Sequence, residues 1–364
     1  MAGDLTAPAA EAQTDMVWQA QDTTPTAIEA ALRALLTEAR ARSASYVPAR
    51  SLNLVCIVSR EYSGEVANRL RGVGRFSASR TVVCSVSPMR ATLDATATIV
   101  VPTEPRAGMH APMRETVVVE IGPQHLRHLE TIVDPLVVTD VPTVVWSPHE
   151  HPDALDALLS LAQVVLVDSG DEPEPADAVA RIRGLMERSY VVDLAWLRTT
   201  PWRERIAATF DTQKLRPDLR LISNVVVRHH PDSAIAGLLF VGWLASRLDW
   251  RLSRLSQDRA GTRTGRAHTR RQDVALRLQA DRTMSVRGVA GMEIETANGR
   301  WLRLDRGAGG LRARYRGPRQ NDREWTITGA SRGESGILGE GIRQALLRDN
   351  TYRPALLKAG ELLS

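Results

Sequence analysis

Aromatic and basic side chains are concentrated in one stretch of the sequence, VVDLAWLRTTPWRERIAATFD, at residues 191–211. Trp196 and Trp202 lie on either side of a Thr-Thr-Pro turn, and Arg203 and Arg205 follow the second tryptophan. Trp and Arg are among the side chains most enriched at the centres of protein–protein interfaces. The stretch therefore indicates either a surface for a partner or ordinary protein core.

The elements expected around this stretch are a strand, a turn and a helix. Residues 191–196 alternate as in a strand, and Pro201 favours a turn before it and a helix after it. Trp202, Ile206 and Phe210 then share one face of that helix. We expect both tryptophans to anchor this corner in the core, with the nearby arginines directed outward towards a partner.

A second candidate surface lies on the predicted helix at 233–248. Phe240, Trp243 and Arg247 share a face of it, and that face could pack on the other domain as easily as on a partner. The predicted partner-binding residues are Arg198, Trp202, Arg203, Arg205, Trp243 and Arg247.

Motifs for cofactors, metals and catalysis are weak. GVGRFS at 72–77 has two of the three glycines of a dinucleotide fingerprint, but it lies between a predicted helix and a predicted strand. The fingerprint requires the reverse order, so a helix cap is the better interpretation. His149 and His151 lie in a loop without the further ligands that a metal needs. No nucleophile elbow or P-loop is present. We expect no catalytic residue, no cofactor and no metal, and therefore no enzymatic activity.

The two cysteines, Cys56 and Cys84, lie in apolar stretches that predict strands. Buried free thiols usually act as inert core, and a chain with two cysteines has no disulfide framework. We expect both to be structural and reduced in the cytoplasm, with a redox switch as the alternative.

A Gly- and Arg-rich segment, QDRAGTRTGRAHTRRQ, occupies residues 257–272 and has no apolar periodicity. This composition favours a solvated, mobile loop. A patch for an acidic protein is the alternative, and nucleic acid is disfavoured because no aromatic side chains interleave the arginines.

Length and charge indicate two domains in a soluble protein. The chain has 364 residues, 43% hydrophobic and 24% charged, and no apolar run long enough for a bilayer. Residues 1–168 carry 13 basic and 19 acidic side chains, whereas residues 169–364 carry 34 and 23. We predict a disordered tail at 1–22, domains at 23–166 and 177–364, and a linker at 167–176.

The pattern of elements differs between the two predicted domains. In the first, strands alternate with helices, which predicts an α/β domain with a mixed sheet and flanking helices. In the second, strands occur in a run between helices at either end, which predicts an α+β domain.

Four stretches carry a family resemblance: DVPTVVW (140–146), VVLVDS (164–169), VDLAWLRTTPWRERIAATFD (192–211) and GWLASRLDW (242–250). In this order and spacing the chain resembles the glucose-6-phosphate dehydrogenase assembly protein family, OpcA, from about residue 24 to residue 350. It departs from the family pattern at Trp146–Ser147 and at Gln163–Val164.

The resemblance implies a cytoplasmic, non-catalytic protein that binds glucose-6-phosphate dehydrogenase. Such a protein promotes the active oligomer of the enzyme or activates it allosterically, and so supports the oxidative pentose phosphate pathway. Two other classes stay open: a sugar-phosphate-sensing module that uses arginine clusters, and, less readily, a nucleic-acid-binding protein. No membrane partner is expected.

Overall fold

A computed structural model describes residues 13–42, 46–48, 50–73, 79–102, 111–148, 151–307, 309–317, 322–328 and 334–364. The chain divides into two compact units, Met1–Leu166 and Val167–Ser364. The division falls at the start of the segment predicted as a linker, 167–176.

The first unit contains strands and helices in alternation. In chain order they are β1 (Gln13–Ala20), α1 (Pro25–Arg42), β2 (Tyr46–Pro48), β3 (Leu52–Ser59), α2 (Ser63–Val73), β4 (Ser79–Val86), β5 (Asp94–Pro102), β6 (Ala111–Ile121), α3 (Leu129–Val133), β7 (Thr143–Trp146), α4 (Pro152–Leu158) and β8 (Val164–Val167).

The sheet of this unit runs β1-β5-β6-β4-β3-β7-β8, with β2 beside β6. Strands β6, β4, β3, β7 and β8 are parallel, whereas β5 and β1 are antiparallel to their neighbours. Numbered along the chain, the parallel strands lie in the order 3-2-1-4-5. This is the order of doubly wound nucleotide-binding domains, although β5 replaces the usual helix between β4 and β6.

Two buried polar groups hold this sheet together. Glu115 on β6 is 1% exposed and is clamped between Arg50 and Arg80, whose Nε atoms lie 2.7 Å from its carboxylate oxygens. Asn53 on β3 is fully buried and exchanges hydrogen bonds with the backbone of Val138. Satisfied polar groups of this kind make the strand register specific, because breaking one partner leaves the other unpaired.

The prediction of a disordered tail at 1–22 is wrong for residues 13–20, which form β1. Residues 1–12 lie outside the described part of the chain. Met16 pairs with Ile99 and is buried in a cluster with Ala39, Val101 and Met113. The strand is stabilised by partners about 80 residues away, so local composition carried little signal for it.

The second unit opens with α5 (Pro175–Met186), β9 (Tyr190–Asp193), α6 (Leu194–Arg198), α7 (Thr200–Phe210), β10 (Ile222–His229) and α8 (Ala234–Leu248). A series of strands follows: β11 (Arg251–Leu252), β12 (Ser256–Gln257), β13 (Arg263–His268), β14 (Asp273–Ala280), β15 (Val289–Thr296), β16 (Trp301–Gly307), β17 (Gly310–Arg316) and β18 (Arg323–Thr328). The helices α9 (Glu334–Leu347) and α10 (Tyr352–Glu361) close the chain.

The second sheet runs β11-β13-β14-β10-β15-β16-β17-β18, with β12 beside β13. Only the β10–β14 pair is parallel among these described strands. Val274, Leu276 and Leu278 of β14 are buried while the residues between them are exposed, so the sheet has one apolar face. Helix α8 packs on that face at β10 and β14.

Helix α8 lies beneath α10 at van der Waals distance. A Cβ atom added to Gly242 would lie 2.2 Å from the carbonyl oxygen of Ala355, so only glycine permits this approach. Residues 235–242 of α8 are all buried, which explains why this helix is apolar on nearly every side.

The predicted fold class is confirmed: a mixed α/β sheet with flanking helices is followed by an α+β unit.

The Arg-rich segment at 257–272 contains β13, rather than the mobile loop that its composition favoured. The segment predicted as a linker, 167–176, contains a 3-10 turn at Ser169–Asp171 and the start of α5. Within the described part of the chain, no helix is both long and apolar enough to cross a membrane.

Cys56 and Cys84 are fully buried free thiols on the neighbouring strands β3 and β4. Cys84 is in register with Ile57, the residue after Cys56, so the two thiols point to opposite faces of the sheet. Burial raises the pKa of both thiols, that of Cys84 to about 12. They therefore lack the two properties of a redox switch, an accessible thiolate and a partner on the same face.

We expect neither thiol of the folded protein to react with a disulfide reagent such as dithionitrobenzoate at pH 8. Both should react within seconds once the protein is denatured, because burial in the folded protein, and not a low intrinsic reactivity of the thiols, prevents the reaction. The measurement is thiolate release followed by absorbance. Stoichiometric reaction of the native protein would show that this part of the sheet opens.

Candidate functional site

Asp193, at the end of β9, accepts four hydrogen bonds from three separate parts of the second unit. One carboxylate oxygen accepts hydrogen bonds from the backbone N–H groups of Ala195 and Ser169, both at 3.0 Å. The other accepts from the Ser169 hydroxyl at 2.7 Å and the Tyr352 hydroxyl at 2.8 Å. Asp193 is fully buried and thus joins the 3-10 turn at 169–171, the start of α6 and the start of α10.

A buried ion pair lies beside this carboxylate. The guanidinium of Arg198 donates to both oxygens of Asp168, at 2.8 and 2.7 Å, and both side chains are 7% exposed. Arg287 pairs with Asp171 in the same turn. Three carboxylates therefore share two guanidiniums, which leaves this cluster, Asp168, Asp171, Asp193, Arg198 and Arg287, with an excess of negative charge.

Burial, followed by the charge of a neighbouring aspartate, shifts the pKa values in the cluster. Burial, and then the charge of Asp168, raises the pKa of Asp193 to about 6, against the opposing hydrogen bonds from Ser169 and Tyr352. Burial and Asp168 also raise the pKa of Asp171, although the ion pair with Arg287 opposes the change. Burial, and then the neighbouring Asp193, raises the pKa of Tyr352.

The tryptophan corner lies next to the cluster. The indole N–H of Trp196 donates to Asp349 at 2.8 Å, and the guanidinium of Arg203 lies 3.5 Å above the Trp196 ring. Arg203 also donates to the hydroxyls of Thr199 and Thr200, both at 2.9 Å. Burial lowers the pKa of Arg203 to about 10, and the charge of Asp349 opposes this change.

The predicted strand at 191–196 ends earlier than expected. β9 stops at Asp193, and Trp196 lies on the helix α6. Asp193 ends the strand because its side chain accepts the N–H of Ala195 and so caps the helix. The residues of 191–199 are all buried, so the pattern of apolar residues did not distinguish the two conformations. Both tryptophans are in the core, as predicted, at 2% and 1% exposure.

The six predicted partner-binding residues do not form one exposed surface. Arg198 and Trp202 are buried, and Arg203 is stacked inward on Trp196, so the expectation that these arginines project outward is wrong for Arg198 and Arg203. Arg205 is half-buried, and its Nε atom has no hydrogen-bond partner among the described residues. Trp243 is half-buried, 5.7 Å from the Phe240 ring. Arg247 is the exposed member of the six.

Asp168, Asp193 and Tyr352 were absent from the sequence-based candidates. The signal available for the two aspartates was their position directly at the ends of buried strands, where side chains often cluster. Tyr352 is 159 residues from its partner Asp193 in the sequence, and no local pattern around it indicated this contact.

In the first unit, the carboxyl ends of β3 and β7 flank the point where the strand order reverses. Doubly wound domains bind ligands at this point. Here the Ser59 hydroxyl and the His151 Nε2 atom lie 3.1 Å apart, and the Arg69 guanidinium lies 5.0 Å from the Trp146 ring centre. His149 and most of the 72–77 motif lie outside the described residues. Within the described ranges, no group of three or more His, Cys, Asp and Glu side chains could hold a metal ion.

The fold defines a two-domain protein with a mixed first sheet, parallel at its centre, and a one-sided, largely antiparallel second sheet. Residues 72–184 match the family model described as the glucose-6-phosphate dehydrogenase subunit N-terminal domain, and residues 189–356 match the corresponding C-terminal domain. The chain belongs to this family, the glucose-6-phosphate dehydrogenase assembly proteins known as OpcA.

Three curated relatives are each named "Putative OxPP cycle protein OpcA". The one from Nostoc punctiforme is 31% identical over 129 residues, which cover 34% of this chain and 28% of the relative. The one from Synechococcus elongatus is 26% identical over 140 residues, 37% of this chain and 32% of the relative. The one from Synechocystis is 28% identical over 129 residues, which cover 34% of this chain and 27% of the relative. The matched segments thus span less than a third of the relatives' own length.

Two solved structures are similar at a TM-score of 0.45. One is an oxidoreductase from Sinorhizobium meliloti, with 11% identity over 84% of this chain and 94% of that chain. The other is the WlbA (WbpB) dehydrogenase from Thermus thermophilus, with 14% identity over 86% of this chain and 95% of that chain.

Replacement of Arg203 by Ala should lower the free energy of unfolding by about 1–3 kcal/mol. The change removes a stacked cation and two hydrogen bonds and leaves Thr199 and Thr200 with fewer partners. Arg247→Ala is the matched control at an exposed arginine and should cost less than about 0.5 kcal/mol. Denaturant unfolding of both variants is the measurement, and equal stabilities would show that the stacking contributes nothing.

The contribution of Asp193 to stability should fall as the pH rises from about 4 to about 6. The unfolded chain releases the Asp193 proton near 3.8, whereas the folded chain holds it to about 6, so a rising pH favours unfolding across this window. The loss is on the order of 3 kcal/mol. In Asp193→Asn this component should disappear, whereas Asp211→Asn, at a side chain 75% exposed, should retain it. Parallel pH profiles of unfolding free energy for the chain and Asp193→Asn would contradict this assignment.

Proposed function

We propose that this chain is a non-catalytic partner of glucose-6-phosphate dehydrogenase that binds the enzyme and promotes its active oligomer. The observation that carries the proposal is the match of both halves, in order, to the N- and C-terminal domain models of the glucose-6-phosphate dehydrogenase subunit family. The names of the three cyanobacterial relatives place those proteins in the oxidative pentose phosphate cycle, and we extend that role, and a cytoplasmic location, to this chain.

The arrangement of the buried polar cluster supports a structural role for its groups. Asp193 accepts four hydrogen bonds within the protein, and Asp168 is engaged at both oxygens by Arg198. A general base must instead reach a substrate proton with a free lone pair. These carboxylates hold the turn at 169–171, β9 and the helices in place, as expected for a scaffold that presents a surface.

The charge of the second unit supports attraction to an acidic partner. Residues 167–364 carry 34 basic and 24 acidic side chains. Exposed arginines lie on three strands of the second sheet: Arg266 on β13, Arg277 on β14, and Arg312 and Arg316 on β17. An excess of one sign of charge accelerates the encounter with a protein of the opposite sign and makes it sensitive to salt.

The test combines the purified chain with the dehydrogenase of the same cell. We expect the two to co-elute in size-exclusion chromatography with light scattering, the oligomer to grow, and NADP reduction per dehydrogenase to rise. The chain alone, prepared from a host lacking the dehydrogenase, should reduce no NADP. Cofactor-dependent turnover by the chain alone, or separate elution with unchanged activity, would reject the proposal.

Sugar-phosphate sensing is the alternative that one cavity favours. It has a volume of about 500 Å³, and its lining includes Arg254 and Arg263 together with Ser256, Gln257 and Glu174. Guanidiniums are suited to phosphate, while Glu174 works against an anion. A rise in the melting temperature of the chain with glucose 6-phosphate, and none with glucose, would support this alternative in the same set of experiments.

A further inference from the structure

A cavity of the second unit lies where the beginning of α5 meets the segment after α10 and the strands β12 and β13. Its volume is about 500 Å³. Small-molecule sites occupy roughly 300–1,000 Å³, so there is room for a phosphate group together with an organic part. The walls are joined by backbone hydrogen bonds: the N–H of Leu255 donates to the carbonyl of Leu362 at 2.9 Å, and Gln257 on β12 is in register with Arg263 on β13. Three separate parts of the chain therefore form one preformed space.

Two arginines line the cavity, and neither guanidinium has an ion-pair or hydrogen-bond partner among the described residues. Arg254 is exposed, whereas Arg263 is half-buried. They differ in this from Arg198 and Arg80, which are bound by buried carboxylates. Partial burial removes water from a guanidinium, and an anion offsets that cost. An anionic ligand would supply the partner that the described chain does not.

The other charges around the cavity determine how an anion is held there. Glu174, directly before α5, is the single carboxylate among the lining residues. Five further charged residues lie within two positions of the lining in the sequence: Glu172, Asp177, Asp258, Arg259 and Glu361. Glu172 and Glu361 pair with basic side chains of α5 and α10, and Asp258 accepts N–H groups of its own turn. The surroundings have no excess of positive charge, so an anion is held by direct contact with the two guanidiniums and not by a diffuse field.

We propose that this cavity binds a small phosphate monoester, with the phosphoryl group held by Arg254 and Arg263. Direct contact favours a phosphoryl group, because a planar guanidinium matches it with two parallel hydrogen bonds. Glu174 repels the phosphate but accepts hydrogen bonds from hydroxyl groups, so the site favours an ester with a polyol part over inorganic phosphate. The site goes beyond the proposed partnership with the dehydrogenase and does not rest on it, since a chain that binds the enzyme can carry this cavity as an effector site.

The experiment is calorimetry of the full chain with glucose 6-phosphate, ribose 5-phosphate and glycerol 3-phosphate, with inorganic phosphate and glucose as reference ligands. Arg254→Gln and Arg263→Gln should each weaken ester binding at least about tenfold, because charge-assisted hydrogen bonds are lost. Glu174→Gln should tighten binding about three- to tenfold, because a like charge leaves the cavity. Arg259→Gln is the matched control: it removes the same charge from an exposed position between β12 and β13, and the affinity should stay within about twofold. The melting temperature of each variant without ligand verifies that it is folded.

Several results would overturn the inference. One is that none of the three esters binds with a Kd below about 1 mM. Another is that the folded Arg254→Gln variant binds the esters as the unmodified chain does, or that Arg259→Gln loses as much affinity as Arg263→Gln. Inorganic phosphate that binds as tightly as the esters would overturn the assignment to a monoester. The dehydrogenase takes no part in these measurements, so their failure leaves the proposed partnership intact, and a failure of the two proteins to co-elute leaves this site intact.

Discussion

The burial of one carboxylate, Asp193, is the constraint around which the helices of the second unit are arranged. A carboxylate in a low-dielectric interior is costly unless donors surround it. Asp193 is surrounded by two backbone N–H groups and two hydroxyls, from Ser169, Ala195 and Tyr352. The four donors come from three separate parts of the chain, so Asp193 fixes the turn after β8, the start of α6 and the start of α10 relative to one another.

Arginine has a structural role at several points in this protein. Arg198 binds both oxygens of Asp168, Arg80 binds Glu115, and the guanidinium of Arg203 lies 3.5 Å from the centre of the Trp196 ring. The planar guanidinium suits both the fork geometry of a carboxylate and the face of an aromatic ring. Consequently, several Trp and Arg residues, of the types that mark interfaces in a sequence, are used here for internal packing. Evidence for a partner surface has to come from exposure and rigidity instead.

The two units combine different sheet designs. The first has a parallel centre with the strand order of nucleotide-binding domains, and its turn after β3 carries Arg60 and Tyr62. The second is largely antiparallel, with α8 on one face and exposed arginines on its strands. In the role proposed above, the excess positive charge of the second unit favours the encounter with an acidic partner.

Several elements could be predicted from the sequence because their signals are local. Helix α1 shows an apolar stripe and a proline at its first turn, and β3 contains the apolar run 54–58. The stripe Trp202–Ile206–Phe210 predicted the buried face of α7. The order of these elements was sufficient for the fold class. The burial of Cys56 and Cys84 followed in the same way, because both lie within apolar strands.

Tertiary structure decided the features that depend on distant partners. β1 exists because β5 provides its hydrogen bonds, and Trp196 lies on a helix because Asp193 caps it. Arg198 was expected at the surface, but Asp168, 30 residues away, holds it in the interior. The local sequence around these residues does not determine which charged side chains form ion pairs. An arginine directed to solvent and one directed to a buried carboxylate have the same local sequence signal, and only the fold determines the distance between the two charges.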